Sequence, residues 1–293
     1  MRSVHFWKYQ SVGNDFVLVM ADAVVRLQTR GVAIETLCTA TCDRNYGIGS
    51  DGLLVLEQRD NGLFLRMFNP DGSEDFCGNG IRCAAALARS QGWVQDRFPI
   101  EHFGREVSVE LLPDGRIATT LEPASFDPHQ VPILSDRELF LGEIEAAGKV
   151  WVASAISTGT AHLVIPIATP LSDADFARVS PELEHHPLFP ERTSIMWAQE
   201  IAPAHLKLRI WERGAGETLG CGTGSVASAI HWMRINGQGG EVTVENPGGT
   251  LLVSADSWQS APVVTGEAFE TFQGDLTPSF LDALGGSRFA GCC

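Results

Sequence analysis

Two short segments of the sequence share a cysteine-glycine pattern. Residues 77–80 read Cys-Gly-Asn-Gly, residues 221–224 read Cys-Gly-Thr-Gly, and a run of small residues follows each. Glycines let the backbone approach a ligand closely, and a helix that begins there presents N–H groups and a partial positive charge. Such an end binds a carboxylate and favours the thiolate form of a nearby cysteine. Each segment therefore predicts an anion site beside a sulfur base.

Together, Cys77 and Cys221 could invert a carbon centre. If both sulfurs flank the α-carbon of one amino acid, one thiolate removes the α-proton while the opposite thiol protonates the other face. A general acid–base group works best when its pKa lies near the operating pH, and a cysteine at a helix start meets that condition. Backbone dipoles in a site without water would stabilise the carbanion-like transition state. This scheme needs no pyridoxal phosphate or other cofactor, and the sequence has no lysine motif for one.

Other interpretations of these cysteines stay open. Buried cysteines are common in tight turns, so a single such segment could be structural. A zinc site is disfavoured because Cys77 and Cys83 lack the usual spacing, whereas Cys38 and Cys42 have it but no second ligand pair follows. We therefore predict no metal. A cysteine–histidine hydrolase would leave the second segment unexplained, and no Cys-x-x-Cys redox motif is present. A non-catalytic amino-acid-binding protein also remains possible.

The overall composition and charge limit the kinds of molecule that the protein is expected to bind. The 293 residues are 44% hydrophobic and 19% charged, as in globular proteins, and the formal net charge is −15. Without basic clusters, the chain is a poor partner for nucleic acid or anionic membrane. No secretory leader or membrane-length apolar stretch is visible. We therefore expect a cytoplasmic protein whose seven cysteines are reduced thiols and whose partner is a small-molecule substrate.

The hydrophobic pattern is strand-rich, with two helices. Apolar runs with turn signals between them predict strands, and Pro-Asp-Gly at 113–115 predicts a hairpin. The predicted strands lie within 4–20 (with a turn at 13–15), 52–57, 63–69, 107–112, 116–121, 149–154, 162–167, 206–212, 241–245 and 250–254. Helices are predicted at 79–90 and 223–235, each directly after one of the cysteine segments.

The two cysteine segments lie 144 positions apart, about half the chain. A matching motif, a matching helix and this spacing predict an internal duplication. We expect an N-terminal half at 1–130, completed by a late strand near 264–275, and a C-terminal half at 131–263. The boundary falls in the polar, proline-containing stretch at 123–132. Residues 277–293, which end in two cysteines, are expected to be a flexible tail.

Five motifs together carry a family resemblance. They are FWKYQSVGNDF (6–16), DRNYGIGSDG (43–52), FNPDGSEDFCGNGIRC (68–83), ERGAGETLGCGTG (212–224) and NPGG (246–249). These segments resemble the signatures of the diaminopimelate epimerase family, and the matches extend over nearly the whole chain. The two cysteine motifs are the most specific of them.

The resemblance implies an α/β (α+β) fold of two pseudo-symmetric halves, each a mostly antiparallel sheet wrapped around a central helix. It places the active site in the cleft between the halves and allows a monomer or a homodimer. It implies epimerisation without pyridoxal phosphate, with Cys77 and Cys221 as bases. The residues implied to hold the carboxylate at the reacting carbon are Gly78, Asn79, Gly222 and Thr223. The residues implied to line the rest of the pocket are Asn14, Asn69, Glu212 and Arg213, with Arg213 on the distal carboxylate.

Two positions depart from the family pattern. Thr160 stands in Gly-Thr-Ala-His, where the family usually has Gly-Asn-Pro-His, and Ser194 stands where it usually has asparagine. Both asparagines are expected to contact the distal end of the substrate, and a hydroxyl is shorter than an amide. Because Asn69, Glu212 and Arg213 match the family, the leading hypothesis is an LL-/meso-diaminopimelate epimerase. The alternative is a related racemase for another amino acid.

Overall fold

A computed structural model describes residues 3–285, which form seventeen strands and six helices. The strands are β1 (Val4–Ser11), β2 (Asn14–Met20), β3 (Gly52–Arg59), β4 (Gly62–Phe68), β5 (Arg97–His102), β6 (Arg105–Leu111), β7 (Ile117–Thr120), β8 (Gly142–Ala146), β9 (Lys149–Ser157), β10 (Ala161–Pro166), β11 (Ser194–Ala202), β12 (His205–Glu212), β13 (Gly216–Thr218), β14 (Gly240–Asn246), β15 (Gly249–Ala255), β16 (Val263–Gly266) and β17 (Phe269–Leu276). The helices are α1 (Ala21–Gln28), α2 (Ile34–Cys42), α3 (Gly78–Ser90), α4 (Asp173–Glu184), α5 (Gly222–Asn236) and α6 (Pro278–Leu284).

The chain divides into two compact units. The first runs to Thr119 and resumes at Glu267, and the second is Thr120–Gly266. This division lies earlier than the predicted boundary near residue 130. Leu121 donates its N–H to Pro262 and Ser125 exchanges backbone hydrogen bonds with Ser157, so this stretch is tied to the second unit.

Strand order in the first unit is β17, β1, β2, β3, β4, β5 and β6. The β17–β1, β1–β2, β3–β4 and β5–β6 pairs are antiparallel, whereas β2–β3 and β4–β5 are parallel. Parallel neighbours need a crossover connection, and helices supply it here. Helices α1 and α2 connect β2 to β3, and α3 connects β4 to β5.

The second unit repeats this order. The β8–β9, β9–β10, β11–β12 and β14–β15 pairs are antiparallel, whereas β10–β11 and β12–β14 are parallel. Helix α4 connects the first parallel pair and α5 the second. Each unit therefore has the same alternation of antiparallel and parallel pairs. The helix that follows the cysteine motif sits at the same place in both.

Helices α3 and α5 are the central helices of their units. Helix α3 contacts strands β1–β4, β6 and β17, and α5 contacts β9–β12, β14 and β15. Both helices are buried over most of their length, and their many alanine, glycine and serine residues leave room for strands around them. The predicted α/β fold, with a mostly antiparallel sheet around one helix in each half, is confirmed.

The C-terminal segment differs from the expectation drawn from the sequence. Residues from 277 onward were expected to form a flexible tail, but α6 occupies the first part of this segment. Thr277 caps that helix, and Leu281 and Leu284 are buried in the core of the first unit, which explains why it is ordered. The rest of the expected tail, including Cys292 and Cys293, lies outside the described residues. Within 3–285, no helix is both long and apolar enough to span a membrane.

Candidate active site

Cys77 is the residue immediately before α3, where its side chain caps the helix. The backbone is extended (φ −140°), and the sulfur accepts the N–H of Gly80 at 3.3 Å. Gly80 has to be small, because a Cβ there would lie 2.9 Å from the Leu54 side chain and 3.6 Å from the sulfur. Gly78, by contrast, has no neighbour within 4 Å of its own ideal Cβ position among the described residues. The helix start is thus packed tightly behind the sulfur and is open at Gly78.

Asn14 joins Cys77 to Asn79. Its side-chain oxygen is the acceptor for the Cys77 thiol, at 3.9 Å, and for the Asn79 amide, at 3.3 Å. Its own amide donates to Asp51 at 2.8 Å, which fixes the orientation of the side chain. The predicted turn at 13–15 lies one residue earlier, because Val12 and Gly13 have the positive φ values of 55° and 78°. Asn14 is therefore the first residue of β2 rather than part of a loop.

An ion cluster lies behind Asn14. Buried Lys8 donates to Asp15 at 2.5 Å, and Arg44 donates to Asp15 at 2.9 Å and to Asp51 at 2.8 Å. Burial raises the pKa of Asp15, but the hydrogen bonds from Arg44 and Lys8 outweigh it and hold that pKa below its usual value. The Asp15 carboxylate is therefore charged at neutral pH. Asp51 then acts as a fixed acceptor for the Asn14 amide.

Arg82 lies one turn into α3 and is fully buried. It donates to the side-chain oxygen of Asn79 and, at 3.0 Å, to the hydroxyl of Ser11. Burial lowers the pKa of Arg82 to about 10, so its guanidinium is charged at neutral pH. Because the Asn79 oxygen is held by Arg82, its amide nitrogen points to Asn14. These contacts bring together three of the predicted residues: Asn14, Cys77 and Asn79.

Cys221 has the same place before α5. Its sulfur accepts the N–H of Gly224 at 3.3 Å and lies 3.4 Å from the Thr223 hydroxyl. A Cβ on Gly224 would collide with the thioether of Met196, so this position also needs glycine. Gly222 is the first residue of the helix and is buried.

Burial raises the pKa of Cys221 well above its usual value, and the nearby Glu212 carboxylate raises it further. Hydrogen bonds from Thr223 and the Gly224 amide act in the opposite direction but are outweighed. The Glu212 carboxylate also accepts the Thr218 hydroxyl at 2.6 Å. The helix start alone predicted a thiolate here. With burial and a carboxylate included, Cys221 of the free protein is a thiol.

A second group of predicted residues surrounds Arg213 in the same unit. Ser194 accepts the backbone N–H of Arg213 at 3.1 Å, and the guanidinium donates to the Glu191 carbonyl at 3.2 Å. The Thr160 hydroxyl lies 3.0 Å from Nε2 of His162, whose Nδ1 is buried without a partner in the described part of the chain. Burial, assisted by the Arg213 charge, lowers the pKa of His162 to about 3. The histidine is therefore neutral.

The loop after Arg213 is held by Glu184, a buried carboxylate at the end of α4. Glu184 accepts the Trp211 indole at 2.7 Å, the Gly214 N–H at 2.9 Å and the Arg192 guanidinium at 3.2 Å. Gly214 has φ 78°, a conformation that favours glycine. Glu184 thus fixes the backbone N–H directly after Arg213 and the Trp211 side chain two residues before it.

Asn69 lies in a turn of its own. Its side-chain amide donates to the Ser73 hydroxyl at 3.1 Å, and its backbone carbonyl accepts the Cys38 thiol at 3.0 Å. Cys38 and Cys42, the pair considered for zinc, lie 3.7 Å apart between their sulfurs. Within residues 3–285, no group of three or more His, Cys, Asp or Glu side chains could hold a metal ion.

Sequence reasoning missed the roles of Asp51 and Glu184 in supporting the site. Asp51 lies inside a family motif, so the motif marked its position but not its contact with Asn14. Glu184 gave no signal, because its partners lie 8–30 positions away along the chain.

Comparisons with known proteins identify relatives over most of the chain. A family model described as diaminopimelate epimerase matches residues 6–127 and 154–269. A diaminopimelate epimerase of Moorella thermoacetica is 36% identical over 283 residues, which cover 93% of this chain and 99% of that protein. One from Synechococcus sp. (strain JA-3-3Ab) is 35% identical over 92% of this chain and 96% of its own length.

Solved structures share the fold at low identity. A hydroxyproline epimerase from Agrobacterium vitis superposes with a TM-score of 0.68 at 13% identity, covering 96% of this chain and 95% of that one. A PhzF-family phenazine biosynthesis protein from Bacillus anthracis gives 0.64 at 17% identity, covering 94% of this chain and all of the other.

Proposed function

This chain belongs to the diaminopimelate epimerase family and is an isomerase that acts without pyridoxal phosphate, and we propose that it interconverts LL- and meso-diaminopimelate. The observation that carries the proposal is the pair of cysteine caps. Cys77 and Cys221 each accept a backbone N–H from the third residue of the following helix, at 3.3 Å. The named relatives at 35–36% identity support the choice of substrate.

Cys77 and Cys221 are proposed to act on the same α-carbon from opposite faces. In one direction the Cys77 thiolate takes the α-proton, and the Cys221 thiol gives its proton to the other face. The carbon is inverted, Cys77 becomes the thiol and Cys221 becomes the thiolate. In the reverse direction the roles exchange. The thiol form of free Cys221, favoured by burial and Glu212, fits its role as the first acid.

The α-carboxylate is proposed to bind at the starts of the two helices. The first N–H groups of a helix have no acceptor within the helix and carry its partial positive charge. Gly78 and Asn79 supply these groups in α3, as do Gly222 and Thr223 in α5. When the α-proton leaves, negative charge develops on this carboxylate. N–H groups already aimed at it stabilise that charge without rearranging.

The remaining predicted residues are proposed to bind the rest of the substrate. Arg213 pairs with the distal carboxylate, a task that suits the planar guanidinium. Its backbone is held by Ser194 and its guanidinium is held by the Glu191 carbonyl, which limits its freedom before substrate arrives. Asn14, Asn69 and Glu212 line the pocket around the ammonium groups and the chain of the substrate.

A second candidate function is racemisation of a different amino acid. The Thr160 hydroxyl is engaged with His162, and the Ser194 hydroxyl accepts the Arg213 backbone N–H. Neither side chain has the two donors and the acceptor of an asparagine amide. A substrate with one anionic group at its far end, and fewer polar groups beside it, fits this arrangement as well.

Proton NMR in D₂O separates these functions. Reduced protein is incubated with LL-diaminopimelate, and the α-proton signal is followed over time. Loss of that signal together with appearance of the meso isomer supports the diaminopimelate epimerase. If the signal persists, the assay is repeated with L-amino acids that carry polar side chains. Exchange with one of them favours the second function, whereas no exchange with any contradicts both.

A further inference from the structure

His102, at the end of β5, contacts the backbone of Cys77. Its Nε2 accepts the N–H of Cys77 at 3.0 Å, and its Nδ1 lies 3.0 Å from the carbonyl oxygen of Leu65 on the neighbouring strand. The side chain is completely buried, and the Phe76 ring stacks on it with centroids 5.1 Å apart. No motif singled out this residue, which is 25 positions from Cys77.

These two contacts define the chemical state of the imidazole. A carbonyl oxygen can only accept, so Nδ1 must carry a hydrogen. A backbone N–H can only donate, so Nε2 must have a free lone pair. His102 is therefore the neutral Nδ1–H tautomer. The imidazole connects a rigid strand to the peptide group directly before the helix.

The surroundings keep His102 neutral. Burial is the main cause and lowers its pKa below the usual value, and Arg105 acts in the same direction. The Leu65 carbonyl, Glu74 and Asp75 act in the opposite direction but do not outweigh burial. Arg105 also lies over the face of Phe76, 5.5 Å from the ring centroid. The ring that stacks on His102 is therefore itself held in place.

We propose that His102 is a positioning residue for Cys77: it holds the backbone N–H of Cys77 and so fixes where the sulfur stands at the start of α3. The proposal rests on the function proposed above, in which Cys77 is a base. Cys77 has an extended backbone whose sulfur has to meet both the Gly80 N–H and the Asn14 oxygen. If its N–H loses this anchor, the peptide group can rotate and the sulfur leaves both partners. A displacement of about 1 Å at a reacting group can lower a rate 100-fold.

Two substitutions of His102 separate the loss of its hydrogen bond to the Cys77 N–H from the change in side-chain size. In His102→Gln, the amide oxygen lies three bonds from Cβ, as Nε2 does, and can still accept the Cys77 N–H. In His102→Asn, the amide lies two bonds from Cβ, as Nδ1 does, and reaches Leu65 but not Cys77. We expect kcat to stay within a few-fold of wild type in the glutamine variant. In the asparagine variant it falls about 10- to 100-fold, with a smaller change in KM.

A thiol-reactivity measurement tests the same idea without substrate. Folded protein is treated with iodoacetamide, and alkylation is followed peptide by peptide after trypsin digestion. Cleavage after Arg82 places Cys77 and Cys83 in different peptides. We expect Cys77 to react more slowly in His102→Asn and at the wild-type rate in His102→Gln, because only the former moves the sulfur away from the Gly80 N–H, which is the contact that stabilises a thiolate. Cys221, in the other unit, serves as the internal reference.

Ile100→Val is the matched structural control. Ile100 is fully buried on the same strand, two residues before His102, so this variant lowers the melting temperature without touching the Cys77 N–H. Its kcat and its Cys77 alkylation rate are expected to be unchanged. Equal losses in the glutamine and asparagine variants, or unchanged Cys77 alkylation in a folded asparagine variant, would overturn the proposal.

Nitrogen-15 NMR of the wild-type imidazole decides the case if His102→Asn does not fold. The proposal expects the neutral Nδ1–H tautomer at pH 7, and the Nε2–H tautomer would overturn it. The two proposals fail separately. If wild-type protein does not epimerise diaminopimelate, the proposed substrate is wrong, but the alkylation and NMR results still decide the role of His102 at Cys77.

Discussion

Cys77 and Cys221 have the same local geometry, although they belong to different units of the chain. Each is extended, with φ −140° and −124°, and each sulfur accepts the N–H of the third residue of the helix that follows, at 3.3 Å. They differ in their neighbours. Cys77 contacts the neutral Asn14 amide, whereas Cys221 lies near the Glu212 carboxylate. The duplicated scaffold thus presents two similar sulfurs in different electrostatic surroundings.

Replacing either sulfur should stop epimerisation while the fold remains. A positioned acid or base contributes about 10²- to 10⁴-fold to a rate, so Cys77→Ala and Cys221→Ala should each lose at least that much in kcat. Cys83→Ala is the matched control, because Cys83 is buried on the same helix as Cys77 and has no proposed role. Steady-state kinetics and circular dichroism check this. Near-normal turnover in a folded Cys77→Ala or Cys221→Ala protein would contradict the mechanism.

Alanine at two glycines of the cysteine segments should have opposite effects on stability. In Gly224→Ala the new methyl group meets the Met196 thioether, so the free energy of unfolding should fall by about 1–3 kcal/mol. In Gly78→Ala it meets no described atom within 4 Å, so stability should hold or rise. KM should nevertheless increase in Gly78→Ala, because the methyl group stands where the carboxylate is proposed to approach. Thermal melts and kinetics of both variants test the contrast, and a stable, fully active Gly224→Ala would refute it.

Glu184→Gln should weaken binding of the distal carboxylate. The amide loses the charge and presents N–H groups to three donors, so the backbone around Arg213 is less well held. We expect KM for diaminopimelate to rise about tenfold, the size expected when a charged hydrogen bond is lost. An analogue without the distal carboxylate should be affected less. Glu182→Gln, an exposed position on the same helix, is the control, and an equal rise in KM for both substrates would argue against this role.

Acid should destabilise the fold through buried neutral histidines. Burial lowers the pKa of His162 to about 3 and that of His231 to about 4, from an unfolded value near 6.5. A histidine whose pKa is lowered on folding contributes stability that is fully present above its pKa in the unfolded chain. This stability is lost as pH falls through its pKa in the folded protein. For His231 the full effect is roughly 3 kcal/mol.

The melting temperature should therefore fall steadily between pH 6.5 and about pH 4. His231→Gln removes one titrating group away from the proposed site. The melting temperature of this variant should fall less steeply over the same pH range. Parallel melting curves for His231→Gln and wild type would show that His231 does not contribute.

Much of this architecture could be predicted from local sequence. Alternation predicted most strands, and the repeated cysteine segments predicted both central helices to within a residue or so at each end. Alternation did not mark strand β17, which was expected only as a late strand near 264–275, because most of its residues are exposed and its partner β1 lies over 250 positions away. Helices α1, α2, α4 and α6 were missed. They are only 7 to 12 residues long, and so short a segment is difficult to tell from a short apolar run by its period alone.

For the site, motifs predicted which residues matter but not how they are held. Cys77, Asn14 and Asn79 were named in advance, and their contacts with one another follow from the β1–β2 turn and the capped helix. The supporting residues Glu184 and His102 could not be predicted. Each acts on a backbone N–H that only the folded chain brings near, and nothing in the neighbouring sequence marks such a contact. The thiol state of Cys221 likewise depends on burial, which a motif does not report.

The two-base mechanism is tested most directly by the fate of deuterium in the earliest turnovers. LL-diaminopimelate is incubated with reduced enzyme in D₂O, the reaction is stopped at low conversion, and both isomers are analysed by NMR and mass spectrometry. Because the proton removed by one cysteine is not the one delivered by the other, the meso product should carry deuterium at the inverted carbon while remaining substrate keeps its proton. Meso product that retains the original proton, or deuterium entering unreacted substrate as fast as product forms, would contradict catalysis by Cys77 and Cys221 as separate bases.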